Sequence, residues 1–430
     1  MRNISIKLVP LLCGIFCLLF FSACTNGQET LKPRVLVSTD IGGTDPDDNQ
    51  SMTHLLMYSD LFELEGLVSS PSFGSGSKEE ILRMIDLYEK DFPKLSKHIQ
   101  GLMTPDELRP LCKQGRRGNF PFLGLDEPTE GSEWIVQCAR KKSDRPLWIL
   151  VWGGLEDLAQ ALCTAPDIVP NIRVYWIGGP NKKWGVNCYA YIVENFPDLW
   201  MIENNASYRG FIYDNKKTDK FNTGYYDETI RGAGYLGEDF INYYKGHAKM
   251  GDTPSLLYLM KGNPDIPEGE SWGGSFEKMA KSPRTIFERN TTLKDTVPVY
   301  SVIEYRLQGP VVDLEVGASC FTYRIDKQDW PGCYLGNGMY GVRYAAKAPA
   351  TLDYTITSDI KELDGMTGSL VVSGLWPGKL TGDAYPLGDN WYTDKGDLSL
   401  FKGIWQGTET VEKWREDVLA DWATRWSYLK

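Results

Sequence analysis

The chain has 430 residues, room for two domains, and its 42% hydrophobic content supports a sizeable core. A formal net charge of −11 argues against nucleic acid and anionic membrane surfaces as partners. The 14 Trp and 23 Tyr are numerous; most belong in a core, and the remainder offer flat faces that suit sugar rings.

At the N-terminus Arg2 and Lys7 precede an apolar run from Leu8 to Phe21. The run is too short for a stable membrane span and has the layout of a signal peptide. It ends Phe21-Ser22-Ala23-Cys24, which resembles a bacterial lipobox with Phe where Leu is usual. The expectation is a signal peptide over 1–23, a tether over 24–33 and lipidation at Cys24. A thiol-linked diacylglycerol plus an amide-linked acyl chain suffices for stable anchoring. The protein is thus expected in the bacterial cell envelope, periplasmic or outer-membrane-anchored, touching the membrane through that anchor. Beyond Cys13, Cys17 and Cys24, the six cysteines are Cys112, Cys138, Cys163, Cys188, Cys320 and Cys333. None forms a CxxC pair, which argues against zinc. Export permits disulfides, and Cys320–Cys333 is the expected pair by proximity.

The stretch Val35–Asn49 reads VLVSTDIGGTDPDDN. Val35, Leu36 and Val37 begin a strand, Gly42-Gly43 supply a tight turn, and Asp45, Asp47 and Asp48 stand where a helix should start. Met52, Leu55, Leu56, Ser59 and Phe62 then keep a three- and four-residue rhythm. Acids at a helix N-terminus suit its dipole, but a cap needs one or two. Asp40, Asp45, Asp47 and Asp48 repel one another unless a cation or a substrate's hydroxyls stand between them, and Ca²⁺ takes such oxygens.

Residues 34–260 alternate strand and helix: strands at Glu65–Ser69, Leu147–Val151, Ile172–Ile177 and Leu199–Ile202, with helices after Lys78 and through Leu162. This predicts an α/β fold, a mostly parallel sheet flanked by helices. Ligands sit beyond the carboxyl ends of such strands. The Asp40 turn, the Ser70–Ser77 loop, the Gly153–Asp157 turn and the Gly178–Asn187 loop all fall there. Farther on, Gly251-Asp252-Thr253-Pro254 opens a helix, where Asp252 with proline in the first turn also reads as an ordinary N-cap. Trp272-Gly273-Gly274 closes a loop rich in Pro, Gly and acids.

These motifs, in this order, resemble the nucleoside hydrolases, whose first strand ends in Asp, a Gly turn and Asp-Asp. Thr44-Asp45-Pro46 lengthens the turn, and that longer form is similar to the nucleoside hydrolase-like bacterial branch often labelled cellulose-binding. Asp40-Ile41-Gly42-Gly43-Thr44 also resembles the phosphate loop of actin-fold sugar kinases, but the acids that follow would repel phosphate. The nucleoside hydrolase resemblance implies a Ca²⁺ site. Asp40 is then a metal ligand and the general base for a metal-bound water. Asp48 and Asp252 are further ligands, and Asp47 holds vicinal sugar hydroxyls. Glu156 matches a Thr whose carbonyl ligates calcium, so a side-chain ligand there is expected. Asn187 matches a sugar-binding Asn, although the family's Glu two residues earlier is Gly185. Ser70 and Ser72 stand where the family often has Asn, making Ser72 a substrate contact. Trp272, in a Trp-Gly-Gly segment shared with the branch, is a stacking platform or a core plug. The family's His that assists nucleobase departure is Gly251 here; His54, His98 and His247 do not replace it.

Residues 288–372 change to short β-rich runs, among them Val297–Arg306, Tyr340–Tyr344 and Thr351–Thr357, which predict a smaller antiparallel β-sandwich and resemble an Ig-type module. Helical pattern returns at Glu409–Leu429. The expected organisation is an α/β domain over 34–287, a sandwich inserted over 288–372, and a return segment over 373–430 whose helix packs on the first domain. The expected function is a calcium-dependent glycoside hydrolase on an extracytoplasmic carbohydrate, with Glu156, Asp157 and Glu203 as candidates for the leaving-group acid. The alternatives are a true nucleoside N-ribohydrolase and a non-catalytic carbohydrate-binding lipoprotein.

Overall fold

The computed structural model describes residues 31–43, 45–124, 127–212, 216–242 and 249–430. The signal peptide, Cys24 and His247 lie outside the described residues. Among the described residues no helix is long and apolar enough to cross a membrane.

The strands of the first sheet are β1 (Arg34–Thr39), β2 (Glu63–Ser69), β3 (Cys112–Gln114), β4 (Leu147–Val151), β5 (Ile172–Ile177) and β6 (Met201–Asn204). They lie in the order β3-β2-β1-β4-β5-β6, with every pair parallel. A sheet covered on both faces needs strands that are apolar throughout, and β1 and β4 are buried at every position. Successive side chains alternate between faces. Val35, Val37, Leu150 and Tyr175 enter one core, and Leu36, Ile149, Val151 and Val174 the other. β3 escaped the sequence reading because its three residues, Cys-Lys-Gln, carry no apolar run.

β7 (Phe276–Lys278) and β8 (Lys281–Ser282) follow, then a second sheet: β9 (Arg284–Phe287), β10 (Thr296–Pro298), β11 (Val302–Gln308), β12 (Ser319–Ile325), β13 (Gln328–Gly336), β14 (Met339–Tyr344), β15 (Ala350–Ser358) and β16 (Thr367–Ser373). Their order is β10-β16-β15-β12-β13-β14-β11-β9. The inner pairs are antiparallel, while β10–β16 and β11–β9 are parallel. Three strands separate β11 from β15, yet Tyr305 and Tyr354 have ring centroids 5.2 Å apart. The sheet therefore folds over its own core, so the two layers of the expected sandwich are halves of one continuous sheet. Register shifts in β12–β13 and β13–β14 supply the bend.

The expected Cys320–Cys333 disulfide is absent; both cysteines are free. Cys333 pairs with Ser319 across the hairpin and the register shift falls at Cys320, so the thiols are not opposed.

The chain then returns to the first sheet. After β17 (Tyr385–Pro386), which pairs with β8, strand β18 (Trp391–Asp394) adds parallel to β6, with β7 antiparallel on its far side. The Arg415–Ser427 helix buries Trp422 and Trp426 in the core that also holds Leu55, Leu56 and Ile85. Trp422 stacks on His54 with centroids 4.2 Å apart, and Arg425 pairs with Asp60. This helix therefore braces the Asp47–Met57 helix, whose first turn carries Asp47 and Asp48.

Candidate functional site

A cavity of about 390 Å³ opens at the carboxyl ends of the parallel strands. Asp40, Asp45, Asp47, Asp48 and Asp252 line it, with Ser72, Asn181, Trp184, Tyr208, Arg209 and Lys249 among its other walls.

The first acids are set by the β1 turn. Gly42 adopts φ +85°, open to glycine at little steric cost. Thr39 Oγ1 donates to Asp48 and accepts from the Ile41 N–H at 3.1 Å, tying the strand end to the helix start. Gly153, at the end of β4, permits close approach: a Cβ there would lie 2.8 Å from the Asp40 Cβ.

The last acid arrives from more than 200 residues away. Gln50 Oε1 accepts the backbone N–H groups of Lys249 and Met250 at 2.7 and 3.1 Å. Ser51 and Thr253 hydroxyls lie 3.0 Å apart. Lys249 Nζ reaches Asp45 at 2.5 Å and Asp47 at 3.0 Å. These links fix the Lys249–Thr253 segment against the Asp47–Met57 helix and bring Asp252 beside Asp47 and Asp48. Asp252 stands at the N-cap of the Thr253–Met260 helix, but its side chain makes no capping hydrogen bond.

One ligand oxygen each from Asp47, Asp48 and Asp252 lies within 4.8 Å of the others. Oxygens on opposite sides of a Ca²⁺ ion are roughly 4.6–5.2 Å apart, twice the usual bond. The donors are all carboxylates, as a hard cation prefers, and buried Asp252 Oδ2 has no hydrogen-bond partner among the described residues. The residues present therefore fit a Ca²⁺-type ion, with Asp47 in the ligand set where a sugar contact was expected. Asp40 is linked to Asp48 by a side-chain hydrogen bond, and its carboxyl is pushed up to about 7, first by burial and then by Asp47 and Asp45 against that bond. Burial is also the main cause that raises Asp47, Asp48 and Asp252; for Asp252 the charges of Asp48, Asp47 and Asp40 add to it. A cluster this reluctant to ionise together is one that a cation would relieve.

Ser72 is in the cavity wall as expected and donates to Asn181 Oδ1 at 2.5 Å. Three expected contacts are not there. Asn187 lines a separate cavity near Phe120 and Trp330, and its Nδ2 donates to Phe120 O at 3.2 Å. Trp272 is buried beyond the Thr253–Met260 helix with Lys261 Nζ 4.7 Å from its ring centroid, which makes it the core plug. Glu156 is fully buried beneath Gly154 and Gly185 and does not reach the cavity, so its side chain is not a metal ligand there. The other candidates for the leaving-group acid are also occupied elsewhere. Asp157 accepts from the Arg116 N–H at 3.0 Å and from Thr129, and Glu203 pairs with Lys182. His54 is buried against Trp422 and pushed down to about 3 by burial and then Arg425, and His98 stacks on Tyr428. At position 251, a Cβ would stand 2.6 Å from Asp47 Oδ2, so glycine leaves room for the acid.

The sequence reading missed several walls. Asp394 of β18 accepts the N–H groups of Asn205, Ala206 and Ser207, each at 2.9 Å, and so shapes the loop that presents Tyr208 and Arg209. Burial pushes its carboxyl up to about 6 against those bonds. Gln328, the first residue of β13, and Lys347, from the β14–β15 connection, close another side of the cavity. Asp326 and Lys327, at the tip of the β12–β13 hairpin, both have positive φ, the type I′ geometry. Asp326 pairs with Lys183 at 2.7 Å, and Trp330 stacks on Trp184, which holds the second sheet against the Pro180–Trp184 helix.

Two solved structures are similar to parts of this chain. A nucleoside hydrolase-related protein from Saccharophagus degradans, described as associated with carbohydrate metabolism, is 19% identical over 80% of this chain and all of that one, with a TM-score of 0.49. The inosine-uridine preferring nucleoside hydrolase from Bacillus anthracis is 15% identical over 59% of this chain and 87% of that one, with a TM-score of 0.39. No curated protein gives a significant match. Residues 296–359 match a domain of unknown function, DUF5060. Residues 34–276, more than half of the chain and all but one of the cavity-lining acids and bases named above from the first sheet's loops and the second sheet's edge, match the family described as "Cellulose-binding Sde182, nucleoside hydrolase-like domain", and the protein belongs to that family.

Proposed function

We propose that the protein is a calcium-dependent glycoside hydrolase acting on an extracytoplasmic carbohydrate, exported and anchored through Cys24. The observation that carries this reading is the convergence of Asp47, Asp48 and Asp252, with one buried Asp252 oxygen lacking any partner among the described residues. Carbohydrate is favoured by the family description, which speaks of cellulose binding, and by Trp184, Tyr208 and Phe73 beside the acids. Asp47, Asp48 and Asp252 would hold the ion. A bound Ca²⁺ supplies positive charge that makes water more acidic and orients sugar hydroxyls. Asp40, joined to Asp48 by a side-chain hydrogen bond at the edge of the ligand set, would accept a proton from the attacking water. Lys249 holds Asp45 and Asp47 in place from the side.

A specific observation favours a second reading, a carbohydrate-binding protein that keeps the metal but does not cleave. None of Glu156, Asp157 and Glu203 lines the cavity, so an O-glycoside finds no leaving-group acid among them. Gly251 in place of the family's His speaks in the same way against an ordinary nucleoside. Calorimetric titration and hydrolysis assays on one glycan panel, with calcium and with chelator, separate the readings. Calcium-dependent turnover that Asp40→Asn abolishes supports the hydrolase. Calcium-dependent binding without turnover supports the binding protein, and the absence of any calcium dependence removes both.

A further inference from the structure

The charges around the cavity are not mixed at random. Five acids line it, and of the three cations that line it only Lys249 is paired with them. Arg209 and Lys347 have no carboxylate within ion-pair distance among the described residues. Arg209 is held over the Trp405 ring, 3.8 Å from the centroid, and its buried Nε has no hydrogen-bond partner among the described residues. Lys347 is exposed, with Nζ 5.6 Å from the centroid of the Trp184 ring. One cation comes from the first sheet's loops and the other from the second sheet, so the two regions close on the same cavity with like charge.

A neutral sugar needs hydrogen bonds and a flat face but no unpaired cation. An unpaired guanidinium fixed by stacking is suited to a carboxylate or sulfate, which it meets with paired N–H donors. We propose that this site takes an acidic saccharide. Its ring hydroxyls face the aspartates, and its carboxylate or sulfate ester is held by Arg209 and Lys347. The inference rests on the reading of the cavity as a carbohydrate site and names the substrate class. It also gives the second sheet a role, since Lys347 supplies part of the recognition.

The test is calorimetric titration of the full chain, in calcium, with two matched pairs of probes. One pair is oligogalacturonides and the same oligosaccharides after carboxyl reduction; the other is a sulfated disaccharide and its desulfated form. The expected result is that at least one charged probe binds about tenfold or more tightly than its neutral partner, the scale of a charge-assisted hydrogen bond. That preference should shrink with added salt. Which pair shows it distinguishes carboxylate from sulfate. Arg209→Gln and Lys347→Gln should each lower the preference while leaving the calcium-induced rise in melting temperature intact. Lys347 is exposed, so its variant is not expected to disturb folding, and Arg209→Lys should restore part of the preference. If the neutral partners bind as well as the charged probes, the acidic-saccharide proposal fails and the carbohydrate reading stands. If no probe binds, both fail. If either Gln variant abolishes the calcium response instead, the cations serve only to offset the acids, and the proposal is overturned.

Discussion

Replacing Asp252 by Asn separates a ligand from a helix cap. Its carboxylate lies within 4.8 Å of those of Asp47 and Asp48. At an effective dielectric of about 20, one like-charge pair at that separation repels by roughly 3 kcal/mol. Burial and the neighbouring charges disfavour the fully ionised cluster, so the relief on removing one acid is about 1–3 kcal/mol. In chelator, Asp252→Asn should therefore melt a few degrees above the wild type. Calcium at a hundred times its dissociation constant stabilises the wild type by about 2.7 kcal/mol. Every tenfold loss of affinity in the variant removes about 1.4 kcal/mol of that increment. Melting curves with calcium and with chelator, run also on Asp40→Asn, read both effects. Asn is a good cap, so a capping role predicts wild-type behaviour in both media. An Asp252→Asn protein that melts like the wild type in chelator and gains the same increment from calcium would remove Asp252 from the site.

Three further outcomes are expected. Burial pushes the Glu156 carboxyl from its ordinary 4.5 to about 8. The folded state then binds the proton more tightly than the unfolded state, so stability falls as pH rises from the lower value through the upper. The full effect is of order 5 kcal/mol, and Glu156→Gln should flatten the decline of melting temperature between those pH values; an unchanged slope would show that Glu156 is not its source. Trp422→Ala opens a cavity where the indole meets His54, Phe240 and Trp426, and should cost about 3–5 kcal/mol in denaturant unfolding. A loss below 1 kcal/mol would show that the C-terminal helix does not brace the acid-bearing helix. Cys24→Ala should leave the exported protein unlipidated and soluble, and equal recovery of variant and wild type in the membrane fraction would defeat the anchor.

Local chemistry made much of the first domain legible. β1 and β4 carry unbroken apolar runs because both faces of a parallel sheet are covered, and such runs are visible without neighbours. The same holds for the Asp40 turn, where four acids in nine residues demand a partner whatever the surrounding fold. β3 and β18 were not legible: they are short segments at or near the margin of the sheet, and pairing rather than composition makes them strands. The ligand set depended on the tertiary structure for the same reason. Asp252 joins Asp47 and Asp48 only through Gln50, Ser51 and Lys249, contacts across about 200 residues that no local pattern encodes. Glu156, Asn187 and Trp272 sit in plausible motifs, yet packing turns each away from the cavity, because motif position fixes a backbone location and not the direction a side chain finds room. Arg209 and Lys347 carry no sequence signal, since an isolated basic residue is usually solvated surface. The sequence alone determined the central strands of the sheet, the acidic turn and the family resemblance; the tertiary structure decided which marginal strands join it, which acids meet and which cations face them, because those depend on pairing and on how distant loops share one end of the sheet.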